Sequence, residues 1–472
     1  MQKKSKVPFF FIMIVAIIFI VMSMADHKRL PVDTDWVSIS IASTLIDRKT
    51  FSDGYNFNWS EMKIASNVLE NKRLSNSHNI DMPGFNHPPG YPFFIATIGW
   101  LTPSALKEFQ CYITRLHECP ENRISDIIMI VQTIIAIMVL ILVFLLAREL
   151  SSRSEIAVLV TLLVLFTGRL SEHSQLLQPY VIITALMLAF CYCTLLSYKN
   201  KSIILALVSG VLIGLAVLFR PPLWLVPILI SPLPILLLRS QRGHAVLLTI
   251  SLLIGYFIML MPWLFRNYEL FGEWALTHGE SYTNLARRVA YNQMSFAEWC
   301  SAFIVWMPGP GESLSHLFVQ SDIQDRLGSI NQFNSIIRGA GEIVKPLSEI
   351  GDPSSIYVKI LNNYVFNDFA NYLSSMVPLL IRGIWGSGNL IGLFGLVFLL
   401  PLHRRLIATK NYASFSLIFG IMLACQLSQT MLSPNLPYYN GFFLFIHAYA
   451  IAYVSGGLEL FPIVRRWLFK MK

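Results

Sequence analysis

Charge is scarce in this sequence. Of its 472 residues only 13% are charged while 54% are hydrophobic, and the mean hydropathy is +0.56. A soluble globular chain carries roughly 25% charged residues, so this composition excludes an ordinary soluble domain. Cysteine is sparse as well, with six residues. Cys191, Cys193, Cys300 and Cys425 lie in or near apolar stretches and read as packing residues. Cys111 and Cys119 share one polar loop, where a disulfide fits if that loop faces an oxidising compartment. The chain has no internal repeat and no low-complexity tract. It also lacks a Walker loop, a zincin helix and a dinucleotide fingerprint.

What the chain has instead is long apolar runs separated by short basic loops. Runs of about 20 apolar residues cross a hydrocarbon core of roughly 30 Å, and in lipid only helices and closed barrels satisfy their own backbone. The runs are of helical length, so the expected fold class is an all-α polytopic membrane protein. About ten spans are expected, over 7–24, 126–147, 156–170, 179–198, 202–219, 223–238, 245–264, 384–402, 412–430 and 440–459. The first follows Lys3, Lys4 and Lys6 and reads as a retained helix rather than a signal peptide, because its apolar run is long and no clean small-x-small site follows.

The formal net charge of +9 points away from nucleic acid once it is located. One set of loops carries Arg148, Arg153, Lys199, Lys201, Arg239, Arg242, Arg404, Arg405, Lys410, Arg465, Arg466, Lys470 and Lys472, against only Glu149 and Glu155. That asymmetry marks the cytoplasmic side and puts both termini there. The opposite side holds two long segments of mixed charge, 25–125 and 265–383, elaborations on a single transmembrane domain over 1–472. Within the second, Phe296 to Met307 is apolar but short, which predicts an interfacial or re-entrant helix.

In the first external segment, Val37, Ile41 and Leu45 recur at helical spacing just after Asp33, Asp35 and Trp36. An amphipathic helix on the membrane surface is expected there. The two aspartates read either as helix caps or as a carboxylate held at the membrane surface to act as a base. A second amphipathic stretch, Ser60 to Leu74, contains Glu61 and is followed by His87-Pro88-Pro89-Gly90-Tyr91-Pro92.

The order of these motifs resembles the GT-C superfamily of membrane glycosyltransferases, in particular the bacterial relatives of dolichyl-phosphate-mannose protein mannosyltransferases and the lipid A aminoarabinose transferase. The resemblance is carried by Asp35, Ala42 to Leu45 and Pro88 to Pro92, by Leu218-Phe219-Arg220-Pro221-Pro222, by Pro262 to Gly272 (PWLFRNYELFG), and by Arg382 to Trp385. An alternative alignment uses Ala65, Asn67 and Leu69 and puts Asn58 or Glu61 where the acid belongs. The sequence departs from many relatives at Gln178-Pro179-Tyr180 and Pro437-Tyr438-Tyr439, where they carry a Glu and an Arg-Tyr pair.

The resemblance implies a sugar donor linked to a polyprenyl phosphate, and a glycan, lipid or protein acceptor. Phosphate leaves readily, so one carboxylate suffices to take the proton of the attacking hydroxyl, with inversion at the anomeric carbon. Asp35, Asp33 and Glu61 are the acids available for that role. Arg220 and Arg266 suit the donor phosphate because a guanidinium donates two parallel hydrogen bonds. Snorkelling at a helix end is their structural alternative. His87 and Tyr91 are candidates for substrate contact, with a loop role and an interfacial role as the bland readings. Arg287, Arg288 and Arg382 read as solvated or lipid-facing. A divalent metal is compatible with the acids of the first loop, but no clustered ligand set is evident. A lipid-linked oligosaccharide flippase and a polysaccharide polymerase or ligase are the alternative functions. Spans nearly free of charge argue against the transporter.

Overall fold

The computed structural model describes residues 9–26, 35–52, 87–102, 104–109, 123–237, 242–277, 279–328, 339–348, 353–385, 390–407, 409, 411–434 and 440–456. Asp33, Glu61, the stretch Ser60 to Leu74, Cys111 and Cys119 lie outside them.

Among the described residues the regular structure is helical. The first part of the chain contains α1 (Phe9–Asp26), α2 (Trp36–Arg48), α3 (Gly90–Trp100), α4 (Arg123–Ser151), α5 (Ser154–Phe166), α6 (Arg169–Ser174), α7 (Tyr180–Asn200) and α8 (Ile203–Phe219). A 3-10 turn over Pro221–Leu225 then leads to α9 (Val226–Ile230), α10 (Pro232–Leu237) and α11 (Arg242–Phe271). The stretch 279–385 supplies α12 (Gly279–Val289), α13 (Phe296–Val305), α14 (Gly311–Phe318), α15 (Ser321–Leu327), α16 (Gly339–Ser348), α17 (Pro353–Ile360) and α18 (Phe369–Trp385). The chain closes with α19 (Leu390–Leu406), α20 (Tyr412–Leu432) and α21 (Asn440–Ser455).

Among the described residues, four helices are long and apolar enough to cross a membrane: Ile124–Ser151, Tyr180–Asn200, Arg242–Phe271 and Tyr412–Leu432. A fifth span results if α18 and α19, bent by 108°, are taken together. The described part of the apolar run at 223–238 changes its hydrogen-bond pattern, from a 3-10 turn over Pro221–Leu225 to the short helices Val226–Ile230 and Pro232–Leu237; Pro227, Pro232 and Pro234 there cannot donate a backbone hydrogen bond. The run at 245–264 extends further than its apolar stretch, so that the helix carries Arg266 and Asn267 beyond it to Phe271.

Most of the described chain shares one apolar core, to which α1 to α9, α11 and α19 to α21 contribute. Helices α8 and α11 approach closely at Gly210, Gly214 and Gly255, where a Cβ would overlap backbone atoms of the facing helix. Small residues of this kind let membrane helices touch backbone to backbone. A separate core is built from α12 to α18, around Leu285, Tyr291, Leu327, Ile343, Ile360 and Leu379. The described part of 279–385 thus has a core of its own.

Candidate active site

Helix α2 forms where the spacing of Val37, Ile41 and Leu45 predicts a helix, but it is enclosed: Ser38 through Leu45 are all buried. Asp35 is its N-cap and accepts from the Ser38 backbone N–H at 3.1 Å. The capping reading of this residue therefore holds. It is incomplete, because the other carboxylate oxygen, Oδ2, accepts from Ser38 Oγ at 2.6 Å and lies 3.5 Å from His87 Nε2. Asp35 and His87 retain 14% and 17% side-chain exposure, enough to be reached from one side.

Proton positions follow from this geometry. Ser38 has a single hydroxyl proton and gives it to Asp35, so its contact with His87 Nε2 at 3.1 Å is one in which the imidazole donates. The cluster is therefore unlike a Ser-His-Asp nucleophile relay, in which the serine hydroxyl faces a basic imidazole nitrogen. Here the carboxylate collects the donors. Burial alone would raise the Asp35 pKa. The His87 charge, with hydrogen bonds from His87 and Ser38, outweighs it and holds the carboxyl below its ordinary value of 3.8. Asp35 is an anion at neutral pH.

The turn that delivers His87 is rigid. Pro88 and Pro89 fix their own backbone φ, and α3 begins at Gly90. Tyr91 follows, fully buried, and its hydroxyl donates to Gln132 Oε1 at 3.2 Å. Gln132, on α4, passes its two amide protons to Ser174 O at 3.2 Å and Leu176 O at 2.7 Å. Leu177 O in turn accepts the Asp35 backbone N–H at 3.1 Å. Tyr91 thus supports the site from behind, linking α3, α4 and the loop after α6 to the backbone that carries the acid. Burial, with the nearby Asp35 charge, holds its phenol well above the ordinary value, so it stays a neutral donor.

A third motif meets the same turn. A Cβ on Gly90 would lie 2.6–2.8 Å from the ring and the backbone N of Phe219, so the turn rests directly on the residue before Arg220. Arg220 is half-buried at the C-terminal end of α8, with extended backbone at φ −147° and ψ 91°. Behind it, Ser428 Oγ of α20 donates to Pro222 O.

Arg266 is placed differently. Its guanidinium lies over the rings of Trp263 at 4.6 Å, Phe51 at 5.5 Å and Phe271 at 6.0 Å. It donates to Asn267 Oδ1 at 2.9 Å and to Phe51 O at 3.2 Å. Asn267, fully buried, donates to Ala275 O at 2.7 Å, and Trp263 Nε1 donates to Leu276 O at 2.9 Å. The PWLFRNYELFG motif therefore folds as an aromatic clasp that fastens the chain beyond α2 to the end of α11.

No family model matches the sequence, and no curated protein matches it. Three solved structures of an oligosaccharyltransferase from Archaeoglobus fulgidus are similar in backbone. AglB in complex with an inhibitory peptide and a dolichol-phosphate has a TM-score of 0.49 at 13% identity, covering 98% of this chain and 52% of that one. The enzyme complexed with Zn and sulfate has 0.45 at 12%, covering 95% and 49%. The enzyme tethered by a disulfide to an acceptor peptide with the NVT sequon has 0.49 at 13%, covering 98% and 51%. The chain spans about half the length of these proteins.

Of the residues singled out from sequence, Asp35, His87 and Tyr91 converge, and Arg220 adjoins their turn through Phe219. Ser38 and Gln132 belong to the same cluster and had no motif to mark them. Gln132 carried one signal, an amide inside an otherwise apolar run. Among the described residues no group of three or more His, Cys, Asp and Glu side chains is arranged to hold a metal.

Arg288 is not solvated or lipid-facing. It is fully buried, and donates to Thr430 O at 2.6 Å, Tyr372 O at 2.9 Å and Ser375 Oγ at 3.1 Å. Its charge lies 4.4 Å from the Tyr372 ring centroid. Burial lowers its pKa to about 10, with Tyr372 and Tyr291 acting in the opposite sense, which leaves it protonated at neutral pH. It ties α12 and α18 to the end of α20.

Proposed function

We propose that this chain is a GT-C-type glycosyltransferase of a bacterial inner membrane. It transfers a sugar from a polyprenyl-phosphate donor to an envelope glycan, lipid or protein acceptor at the outer face, with both chain termini in the cytoplasm. The observation that carries this reading is the Asp35, Ser38 and His87 cluster, in which a partly exposed carboxylate is kept ionised by two donors. The order of the sequence motifs supports it.

In this reading Asp35 accepts the proton of the acceptor hydroxyl as that oxygen bonds to the anomeric carbon. The bond from that carbon to the phosphate oxygen breaks, and its electron pair leaves with the polyprenyl phosphate. Attack opposite the leaving group inverts the centre. A carboxylate with a low pKa is a weak base towards a free alcohol. Its proton transfer therefore accompanies bond formation rather than preceding it, when the hydroxyl has become acidic. His87, donating at Nε2, keeps the carboxylate charged and oriented. Arg220 and Arg266 bind the donor phosphate, Arg220 from beside the Gly90 turn.

The test is sugar transfer in membranes from cells making the protein, supplied with radiolabelled polyprenyl-phosphate sugars. Transfer that depends on Asp35 and on Arg220 is expected. Undiminished transfer by both Asp35→Asn and Arg220→Ala would remove the assignment. Label moving only from a lipid pyrophosphate oligosaccharide would indicate the polymerase or ligase chemistry instead.

A further inference from the structure

Helix α18 has three kinds of face. Tyr372, Ser375 and Leu379 are buried in the second core. Asn371 and Ser374 are exposed and polar. Phe369, Leu373 and Val377, at successive turns, are exposed and apolar at 54%, 45% and 44%, and Phe366 precedes them at 65%. At about 100° per residue these groups fill three separate sectors. A helix packed on a core and washed by water requires only the first two. The third is an apolar strip that something other than water must cover.

Its position in the fold says what. Tyr372 Oη donates to Met431 O at 2.7 Å, and Arg288 bonds Tyr372 O and Thr430 O together. Both attachments are to the last turn of α20, an apolar helix long enough to span a membrane. Helix α18 is therefore fixed at the level where that span ends. It also continues, after 386–389, towards the apolar α19, from which it is bent by 108°. When α19 runs along the membrane normal, α18 runs close to the membrane plane. The only charged residue in α18 is Arg382, in its last turn.

Helix α13 extends the strip. Trp299 Nε1 donates to Ser374 O at 2.8 Å, and its ring stacks on the exposed Phe296 at 6.4 Å and meets Phe303 edge-on at 4.9 Å. Rings with one polar edge settle at the level of lipid headgroups.

We propose that this strip, Phe366, Phe369, Leu373 and Val377 flanked by the α13 aromatics, is an in-plane membrane contact. It beds the second external unit into the headgroup and upper acyl region of the bilayer, while Asn371 and Ser374 face water. This goes beyond the proposed transfer reaction and does not depend on it.

The experiment places the photoreactive residue p-benzoylphenylalanine separately at Phe369, Leu373 and Asn371 in the full chain. Each variant is reconstituted into phosphatidylethanolamine and phosphatidylglycerol vesicles, and peptide adducts are read by mass spectrometry after irradiation. Lipid adducts at 369 and 373, several-fold above those at 371, are expected. Adducts to a second copy of the chain at 369 and 373, the absence of lipid adducts there, or equal lipid adducts at 371 would each overturn the proposal.

Discussion

His87 Nε2 lies 3.5 Å from Asp35 Oδ2, with Ser38 Oγ in hydrogen-bond contact with both. A cap residue needs only a donor from its own helix. The imidazole arrives from a turn 52 positions along the chain, at the head of α3, and so gives the carboxylate a setting that capping does not require. Asp35→Asn separates the two roles. Asn caps a helix about as well as Asp, so thermal unfolding in detergent should change little. Transfer should fall by a factor on the order of 10² to 10⁴, the usual contribution of a positioned base. A variant that unfolds at the wild-type temperature and also transfers at the wild-type rate would make Asp35 a cap and nothing more.

The ionisation of Asp35 has a predictable pH signature. Its folded pKa is lowered, so the stability it contributes is fully present above its ordinary value of 3.8 and is lost as pH falls through the lower, folded value. Asp35 protonation should therefore cost wild-type transfer less than half its activity at any pH above 3.8. Replacing His87 by Gln removes the charge that opposes burial, and the carboxyl pKa should rise. The acid limb of the pH–rate profile should then move to higher pH. An unmoved limb in His87→Gln would mean that the imidazole does not act on Asp35.

The membrane architecture was legible from composition, because a chain short of charge and rich in apolar runs has few other ways to fold. The second side of Asp35 was less legible. Its capping role lies within four residues and can be read locally, but its contact with His87 depends on how α2 and α3 pack. The HPPGYP and LFRPP motifs were each visible, and their contact at Gly90 and Phe219 was not. The interrupted hydrogen-bond pattern over 221–237 was foreshadowed by its prolines. The burial of Arg288 was hidden, because hydropathy assigns a cation to water and cannot anticipate the carbonyls of Tyr372 and Thr430 converging on it.

Gly90 is where the turn bearing His87 meets the segment bearing Arg220. A methyl group there would approach Phe219 within 2.6–2.8 Å, and one of the atoms it meets is the backbone N. The ring can rotate away, but the backbone cannot. Gly90→Ala should cost about 1–3 kcal/mol of stability through overpacking. Adding Phe219→Leu should restore only part of it, as followed by thermal unfolding in detergent. Full rescue by the smaller residue would show that the ring alone sets the fit.

Arg288 provides the strictest test of the unit built from α12 to α18. Its guanidinium satisfies two backbone carbonyls and one hydroxyl in a site without water access. Arg288→Met fills similar volume but removes all three donated bonds; Ser375 Oγ still donates to Tyr372 O at 3.1 Å, so the largest loss falls on the Thr430 carbonyl, at about 1–3 kcal/mol. Because Thr430 belongs to α20 while Tyr372 and Ser375 belong to α18, the expected consequence is release of the unit from the membrane helices rather than unfolding of those helices. Limited proteolysis should cut within 279–379 sooner than in the wild type, with helical circular dichroism nearly unchanged. Arg288→Lys keeps the charge but has one nitrogen to reach three acceptors, and should fall between the two. Equal protease resistance in all three proteins would mean that packing in the second core, rather than this cation, holds the unit in place.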